Sequence, residues 1–270
     1  ADVIVMSATP IPRTLSLVIH KDLDISVIDE LPKNRVSIKT IAENKRNENK
    51  VFDFIQKQIR LGRQAYIVCP LVEENEDMDL ISVDELHKKI QTIFDDDLKI
   101  AKLHGKMKSS EKEELLKEFM ENRINLLIST TVIEVGINVP NASIMVIYDA
   151  QRFGLSQLHQ LRGRVGRGDK QSYCVLLYEN ASAITMERIK TIVSSNDGFE
   201  IARKDLELRG AGEIFGIKQH GLPEFHLADI IKNADILELS QKCAQEVLNT
   251  LDDEKIKTIR LRLYDKMNIS

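Results

Sequence analysis

Short apolar runs rich in valine and isoleucine alternate along the chain with longer segments whose apolar residues recur at helical spacing. The short runs predict strands, because a strand buried on both faces is apolar throughout, and the longer segments predict helices. The predicted strands are 36–42, 65–70, 100–104, 126–129, 144–149 and 173–178, and predicted helices 47–61, 83–94 and 109–122 lie between several of them. This alternation predicts an α/β fold, in which a parallel sheet carries helices on both faces.

Beyond residue 178 the pattern becomes helical. Segments 181–194, 198–208 and 228–251 are predicted helices, so a helical C-terminal appendage follows the α/β domain. The tail 255–263 alternates basic and apolar residues at a period of two. That alternation predicts an edge strand, with a DNA contact as the alternative.

Composition and charge narrow the possible classes of protein. The 270 residues, 43% of them hydrophobic, can form one large or two ordinary domains. The net charge of −4 argues against a protein that binds nucleic acid over its whole surface, but it permits a basic groove on an otherwise acidic protein. No run approaches the roughly 18 apolar residues of a membrane helix and no signal segment opens the chain, which predicts a cytoplasmic protein without a membrane partner. Cys69 and Cys174 fall within predicted strands as core residues.

The strongest chemical signal is the stretch 160–167, Gln-Leu-Arg-Gly-Arg-Val-Gly-Arg, which follows an apolar strand-like run. Guanidinium groups bind phosphate oxygens with two parallel hydrogen bonds, and glycines let the backbone approach a ligand closely. The stretch therefore indicates a site for the terminal phosphates of a nucleotide. The alternative is an exposed basic loop with turn glycines.

Two further polar clusters follow apolar runs, at 7–9 (Ser-Ala-Thr) and at 129–140. Hydroxyls and free N–H groups at strand ends bind anions well. Taken in chain order, 7–9, 129–140 and 160–167 resemble motifs III, V and VI of the superfamily 2 helicases and translocases.

The segment 197–221 extends this resemblance, because it is similar to the translocation motif shared by the RecG and Mfd families. Segments 21–32 and 221–229 are similar to RecG at the corresponding places, so the chain resembles the RecG family over nearly its whole length. The resemblance implies a RecA-like fold. It also implies the C-terminal motor half of an ATP-dependent DNA helicase that, at full length, remodels branched DNA and stalled forks.

The resemblance implies roles at the nucleotide for five residues. Arg164 and Arg167 match the arginines that act on the γ-phosphate from across a domain cleft, an effect worth on the order of 10³ to 10⁵ in rate. Gln160 matches the glutamine that senses the nucleotide or bridges to the opposite domain. Gly136 and Asn138 match positions near the ribose. Asn138 stands where many relatives carry aspartate, and its amide oxygen can accept the same hydrogen bond.

The resemblance also implies DNA contacts or coupling between domains. These residues are Ser7 and Thr9 in motif III, His104 and Lys106 after a predicted strand, Thr130 and Thr131 in motif V, and Arg203, Arg209 and Gln219 in the translocation motif. Two alternatives stay open: the threonines could cap a helix, and 197–221 could be a helical cap on the sheet. Arg162 lies off the motif VI pattern, which favours a salt bridge or a surface role for it.

The sequence contains no Gly-x-x-x-x-Gly-Lys-[Ser/Thr] phosphate loop. The main site for ATP with Mg²⁺ is therefore expected in an N-terminal motor domain outside this chain, and the chain alone is not expected to hydrolyse ATP. Asp84-Glu85-Leu86-His87 spells a Walker B-like sequence, but it opens a predicted helix, where acidic residues complement the helix dipole. No metal site is predicted.

The resemblance divides the chain into four parts. Residues 1–21 correspond to the end of the first RecA-like domain, 22–35 to a linker, 36–180 to the second RecA-like domain, and 181–270 to the translocation hairpin and a C-terminal helical region. The start without methionine is expected of a piece of a longer protein. Expected partners are branched or forked double-stranded DNA and the missing N-terminal motor and wedge domains, with a monomeric state. Alternatives are a non-catalytic DNA- or protein-binding module, the corresponding half of an Mfd-like translocase, and an RNA helicase.

Overall fold

A computed structural model of the protein describes residues 4, 26, 28, 36–70, 82–131, 139–209 and 234–267. The chain divides into two units. Described residues up to Leu208 belong to the first unit, and those from Arg209 onwards belong to the second.

Six parallel strands form the centre of the first unit. They are β1 (Lys39–Asn44), β2 (Gln64–Val68), β3 (Ile100–Leu103), β4 (Leu126–Ser129), β5 (Ala142–Ile147) and β6 (Tyr173–Tyr178). Their order across the sheet is β1-β6-β5-β2-β4-β3, and all five neighbouring pairs are parallel. The predicted parallel sheet is confirmed. Its strand ends differ by a few residues from the prediction, since β1 begins at Lys39 rather than at residue 36.

Helices cover both faces of this sheet. The helices α1 (Glu48–Arg60) and α2 (Val83–Ile93) lie on one face, and α3 (Ser109–Met120), α4 (Leu155–Arg162), α5 (Ala183–Ser194) and α6 (Gly198–Arg209) lie on the other. Successive side chains of a strand point to opposite faces. Ile67 of β2 accordingly packs with α1 and α2, whereas its neighbours Tyr66 and Val68 pack with the other layer. The predicted RecA-like architecture is confirmed.

The helices α5 and α6 pack with the sheet. Ile189, Ile192 and Ile201 are buried in the same apolar cluster as Leu176 of β6. These two helices thus belong to the first unit, whose described residues end at Leu208.

The described part of the second unit consists of α7 (Ala234–Thr250) and α8 (Asp253–Met267). The edge strand predicted at 255–263 is wrong, because this segment lies within α8. Its Lys, Arg and Leu residues favour helix, and the Asp252 side chain caps the first turn by accepting a 3.0 Å hydrogen bond from the Lys255 N–H. In the portion of the chain that is described, no helix has both the length and the hydropathy needed to cross a membrane.

Candidate functional site

The predicted phosphate-binding stretch 160–167 forms the end of α4 and the start of the loop that leads into β6. It does not directly follow a strand, because α4 intervenes after β5, burying Leu155, Leu158 and Leu161. The chain leaves β5 at the carboxyl edge of the parallel sheet and must return to the amino edge to enter β6. The arginines of the loop therefore lie at the amino edge.

Two glycines allow this loop to pass close to neighbouring residues. Gly166 has a φ of +78°, and a Cβ added there would lie 2.8 Å from Ile38 Cγ1. A Cβ added at Gly168 would lie 2.6 Å from the carbonyl oxygen of Pro140. Neither position can take a side chain without displacement of the loop. The half-buried Arg164 and the exposed Arg167 are thus carried on a closely fitted loop.

Both arginines act electrostatically on Tyr66 of β2. Burial raises the pKa of Tyr66 to about 12, while the charges of Arg167 and Arg164 oppose that increase. The Tyr66 ring packs against Phe119 of α3, with 4.9 Å between ring centroids. The two guanidinium groups consequently place positive charge on the sheet face covered by α3 and α4. The half-buried Gln160 lies one helical turn before Arg164.

Arg162 has a structural position. Its side chain is buried, and its Nη1 atom donates 2.7 Å hydrogen bonds to the carbonyl oxygens of Ile192 and Ser195. Its Nη2 atom lies 3.0 Å from His159 Nδ1. Of the two predicted roles, a salt bridge or a surface role, the surface role is wrong, because the side chain is buried. Arg162 instead joins α4 to the end of α5, whose last carbonyls need donors from outside the helix.

The helix α6, which carries the first part of the predicted translocation motif, is also fixed to α4. The Ser156 hydroxyl donates a 2.7 Å hydrogen bond to the buried carboxylate of Asp205. Arg203 is exposed on α6, and Arg209 is its last residue. Movement of α6 relative to the arginine loop must therefore disturb a buried polar contact.

The predicted DNA-contacting residues of β3 and β4 lie at the carboxyl edge of the sheet. Leu103 and Ser129 are paired in register, and the Thr130 N–H donates a 3.4 Å hydrogen bond to the Leu103 carbonyl. Thr130 is buried, and its hydroxyl has no hydrogen-bond partner within the described residues. Next to these positions His104 and Thr131 are half-buried and Lys106 is exposed. The structure therefore brings these four residues to one edge and Arg164 and Arg167 to the other.

The remaining predicted site positions lie outside the described residues. They are Ser7, Thr9, Gly136, Asn138, Gln219 and the side chain of Arg209. The described ends of the motif V segment lie at opposite edges of the sheet, with Thr131 after β4 and Val139 before β5. Pro140 closely approaches Gly168, so the motif V segment ends beside the arginine loop.

The sequence analysis did not identify an ionic cluster at the carboxyl edge. Lys45 Nζ, after β1, lies 3.1 Å from Asp149 Oδ1, after β5. Asp149 is buried with a left-handed φ of +52°, and the Lys45 ammonium lies 4.7 Å from the centre of the Tyr148 ring. The Tyr148 hydroxyl and Lys89 both contact Glu48. The sequence feature that could have identified this cluster is an acidic residue that follows a buried strand. The cluster fixes the turn from β5 towards α4.

Asp84 and Glu85 occupy the first turn of α2, as predicted. Ser82 Oγ accepts a 3.2 Å hydrogen bond from the Glu85 N–H, and Glu85 Oε2 accepts a 2.9 Å bond from the Ser82 N–H. Hydrogen bonds from Lys102 to Asp84 and from Ser82 to Glu85 lower the pKa of each carboxyl group. These carboxylates therefore cap and complement a helix start.

Comparison with known proteins connects this arrangement to one group of enzymes. The family model "Helicase conserved C-terminal domain" matches residues 46–169, and "ATP-dependent DNA helicase RecG, domain 3, C-terminal" matches residues 195–267. The ATP-dependent DNA helicase RecG of Bacillus subtilis (strain 168) is 47% identical over 92% of this chain and 36% of its own length. The RecG protein of Streptococcus pneumoniae serotype 4 is 45% identical over 99% of this chain and 40% of its own length.

A solved structure described as RecG bound to a three-way DNA junction is also similar. It is 42% identical in sequence with a TM-score of 0.68, and the match covers 86% of this chain and 30% of that chain. The chain thus spans well under half the length of the relatives it matches.

Proposed function

The chain belongs to the RecG family of ATP-dependent DNA helicases, and we propose that it is the C-terminal motor half of such an enzyme. The observation that carries this proposal is the arginine loop, held at the amino edge of a RecA-like sheet by two glycines that cannot take a side chain. The match to RecG domain 3 over 195–267 favours this family over the Mfd-like alternative. In the longer protein, ATP hydrolysis drives movement along duplex DNA and the remodelling of branched DNA and stalled forks.

The arginine loop is proposed to act on a nucleotide held mainly by the other motor domain. Two arginines on a closely fitted backbone suit an anionic phosphate group. ATP with Mg²⁺ supplies the phosphoryl group that is transferred to water and part of the charge neutralisation. Arg164 and Arg167 stabilise the charge on that group, which is most of what phosphoryl transfer requires from a protein.

Three further residues are proposed to complete the nucleotide side of the site. Gln160 responds to the nucleotide from the turn of α4 that precedes Arg164. Gly136 and Asn138 contact the ribose. The approach of Pro140 to Gly168 supports this assignment, because it places the end of the motif V segment next to the arginines.

The carboxyl edge of the same sheet is proposed to contact the DNA backbone. Lys106 supplies positive charge, and His104, Thr130 and Thr131 supply hydrogen-bonding groups. The buried hydroxyl of Thr130 has no hydrogen-bond partner among the described residues, which supports this role, since buried polar groups in proteins normally have partners. Nucleotide and DNA contacts then lie at opposite edges of one rigid sheet, so a domain rotation driven at one edge moves the other.

The rest of the proposal concerns Arg203 of α6, together with residues and partners outside the described part. Ser7 and Thr9, at the end of the first RecA-like domain (1–21) and before a linker (22–35), couple the nucleotide state to DNA. Arg203, Arg209 and Gln219 transmit closure of the motor domains to the duplex. The protein acts as a monomer on branched DNA, with a first motor domain and a wedge domain supplied by the longer chain.

The proposal is tested by ATP turnover of the full-length protein that contains this chain. Arg164→Ala is expected to lower kcat by roughly 10³-fold or more while affinity for forked DNA stays within about twofold. Lys170→Ala is the matched control, because Lys170 is an exposed cation of the same loop outside the motif. Retained turnover in Arg164→Ala would refute the assignment.

A further inference from the structure

The strand β3 forms one edge of the sheet, and no other strand in the described residues pairs with its outer side. The carbonyls of Lys99 and Leu103 accept hydrogen bonds from the β4 side, at 3.2 Å from the Leu126 N–H and 3.4 Å from the Thr130 N–H. Successive residues of a strand direct their backbone groups to opposite sides, so those of Ile100 face outward. The Ile100 carbonyl has a 3.5 Å contact with His87 Nε2, at the outer limit of a hydrogen bond.

A groove with a volume of about 680 Å³ runs along this edge, between the end of α2 and the side of α3. Apolar side chains form its floor: Phe94 is buried, and Leu98, Ile100 and Leu115 are half-buried. The floor therefore exposes apolar area next to unpaired strand backbone. A strand edge of this kind is a template for pairing with another chain.

The α3 wall of the groove is acidic. Glu111, Glu114 and Glu118 all line it, at the three- and four-residue spacing that puts side chains on one helix face. Asp96 adds a carboxylate on the opposite rim. Among the residues described, the side-chain carboxylates of Glu114 and Asp96 form no ion pair or hydrogen bond. The groove thus combines an apolar floor with carboxylates that cations can reach.

We propose that this groove binds an extended basic segment of another protein, which adds as a further strand to the outer side of β3. Successive side chains of a strand alternate between its faces. One set then meets the glutamates of α3, and the other meets Phe94 and Leu98. The occupant is a segment in which basic and apolar residues alternate. Strand pairing supplies affinity, while the acidic wall selects the partner's charge and excludes nucleic acid.

The lengths are compatible with this arrangement. The stretch from Glu111 to Glu118 rises by about 10 Å along the helix, and alternate residues of a strand are about 7 Å apart. Two cations on one face of the added strand can therefore lie along the acidic wall. The occupant needs a length of about five to seven residues.

Fluorescence anisotropy of the 270-residue chain with a labelled Lys-Val-Lys-Val-Lys-Val-Lys peptide tests the proposal. The peptide is expected to bind more weakly as salt is raised, and a Glu-Val counterpart is expected not to bind. Glu114→Lys should weaken binding of the lysine peptide by roughly twofold to fivefold, the upper part of the range expected for a surface charge pair. Glu113→Lys should leave it unchanged, because Glu113 is exposed on α3 and does not line the groove.

A peptide that is N-methylated at alternate residues separates strand addition from simple charge attraction. This peptide keeps its charge but cannot donate hydrogen bonds from the methylated positions, so it is expected to lose at least tenfold in affinity. Equal binding of both peptides, or equal weakening by Glu113→Lys and Glu114→Lys, would overturn the proposal. It would also be overturned if sedimentation showed that a second copy of the chain fills the groove and is not displaced by the peptide.

Discussion

Replacing Arg162 by methionine should destabilise the first unit, because it removes buried donors without removing the groups that need them. Arg162 is 2% exposed and donates to two carbonyl oxygens at 2.7 Å. A hydrogen bond to a charged group contributes about 1.5–3 kcal/mol, so two such bonds correspond to about 3–6 kcal/mol. Burial of the apolar methionine side chain recovers about 1–2 kcal/mol. The expected loss in unfolding free energy is therefore about 1–5 kcal/mol.

Urea unfolding followed by far-ultraviolet circular dichroism measures this loss. Arg162→Lys should fall between wild type and Arg162→Met, since one ammonium can keep part of the hydrogen bonding. Arg203→Met is the matched control, because Arg203 is exposed on α6, and it should change stability by less than about 0.5 kcal/mol. An Arg162→Met variant as stable as this control would refute the reasoning.

Three further predictions follow from the same structure. Gly166→Ala should destabilise the chain by about 1–3 kcal/mol in urea unfolding. Gly105→Ala should not, because a Cβ at Gly105 meets nothing within 4 Å. Equal effects of the two substitutions would show that the backbone at Gly166 is not strained by a side chain. Stability, measured by thermal melts, should fall as pH rises from about 9 to about 12. Burial raises the pKa of Cys69 and Cys174 from 9.0 to about 12, and it raises the pKa of Tyr66 from 10.0 to about 12. The unfolded chain therefore loses these protons at lower pH than the folded chain does. Tyr66→Phe should reduce the fall above pH 10, and an unchanged slope would exclude this cause. Asp252→Ala should lower the helicity of α8 by removing its cap, and backbone amide exchange at Lys255 that stays as slow as in wild type would argue against it.

The sheet could be predicted from the sequence because its strands are buried on both faces. Residues 126–128 and 173–178 form uninterrupted runs of apolar and aromatic residues, and the predicted ends of both strands match the observed ones. The strand prediction for 255–263 was wrong because the sequence of this segment fits both a strand and a helix periodicity. Ile256 and Ile259 fit helical spacing as well as Lys255 to Leu263 fit strand alternation, and the deciding feature is the cap at Asp252.

The candidate site was predictable in its residue types but not in its layout. The arginines and glycines of 160–167 carry their own chemical signal, whereas the place of the loop depends on α4 returning the chain to the amino edge. Nothing in the sequence distinguishes Arg162 from the neighbouring arginines of 160–167. Only the packing of α5 shows that this guanidinium meets two carbonyl oxygens. The ionic pair of Lys45 and Asp149 joins positions 104 residues apart, a separation that no local pattern reveals.

We propose that this chain supplies arginines to a nucleotide that another domain holds. The test is ATP turnover by the 270-residue chain, measured with and without forked DNA. The measurement is then repeated after addition of the separately prepared N-terminal motor domain. No turnover by the chain alone is expected, with turnover on mixing that is lost in Arg164→Ala. DNA-stimulated turnover by the chain alone, retained in Arg164→Ala, would contradict the claim.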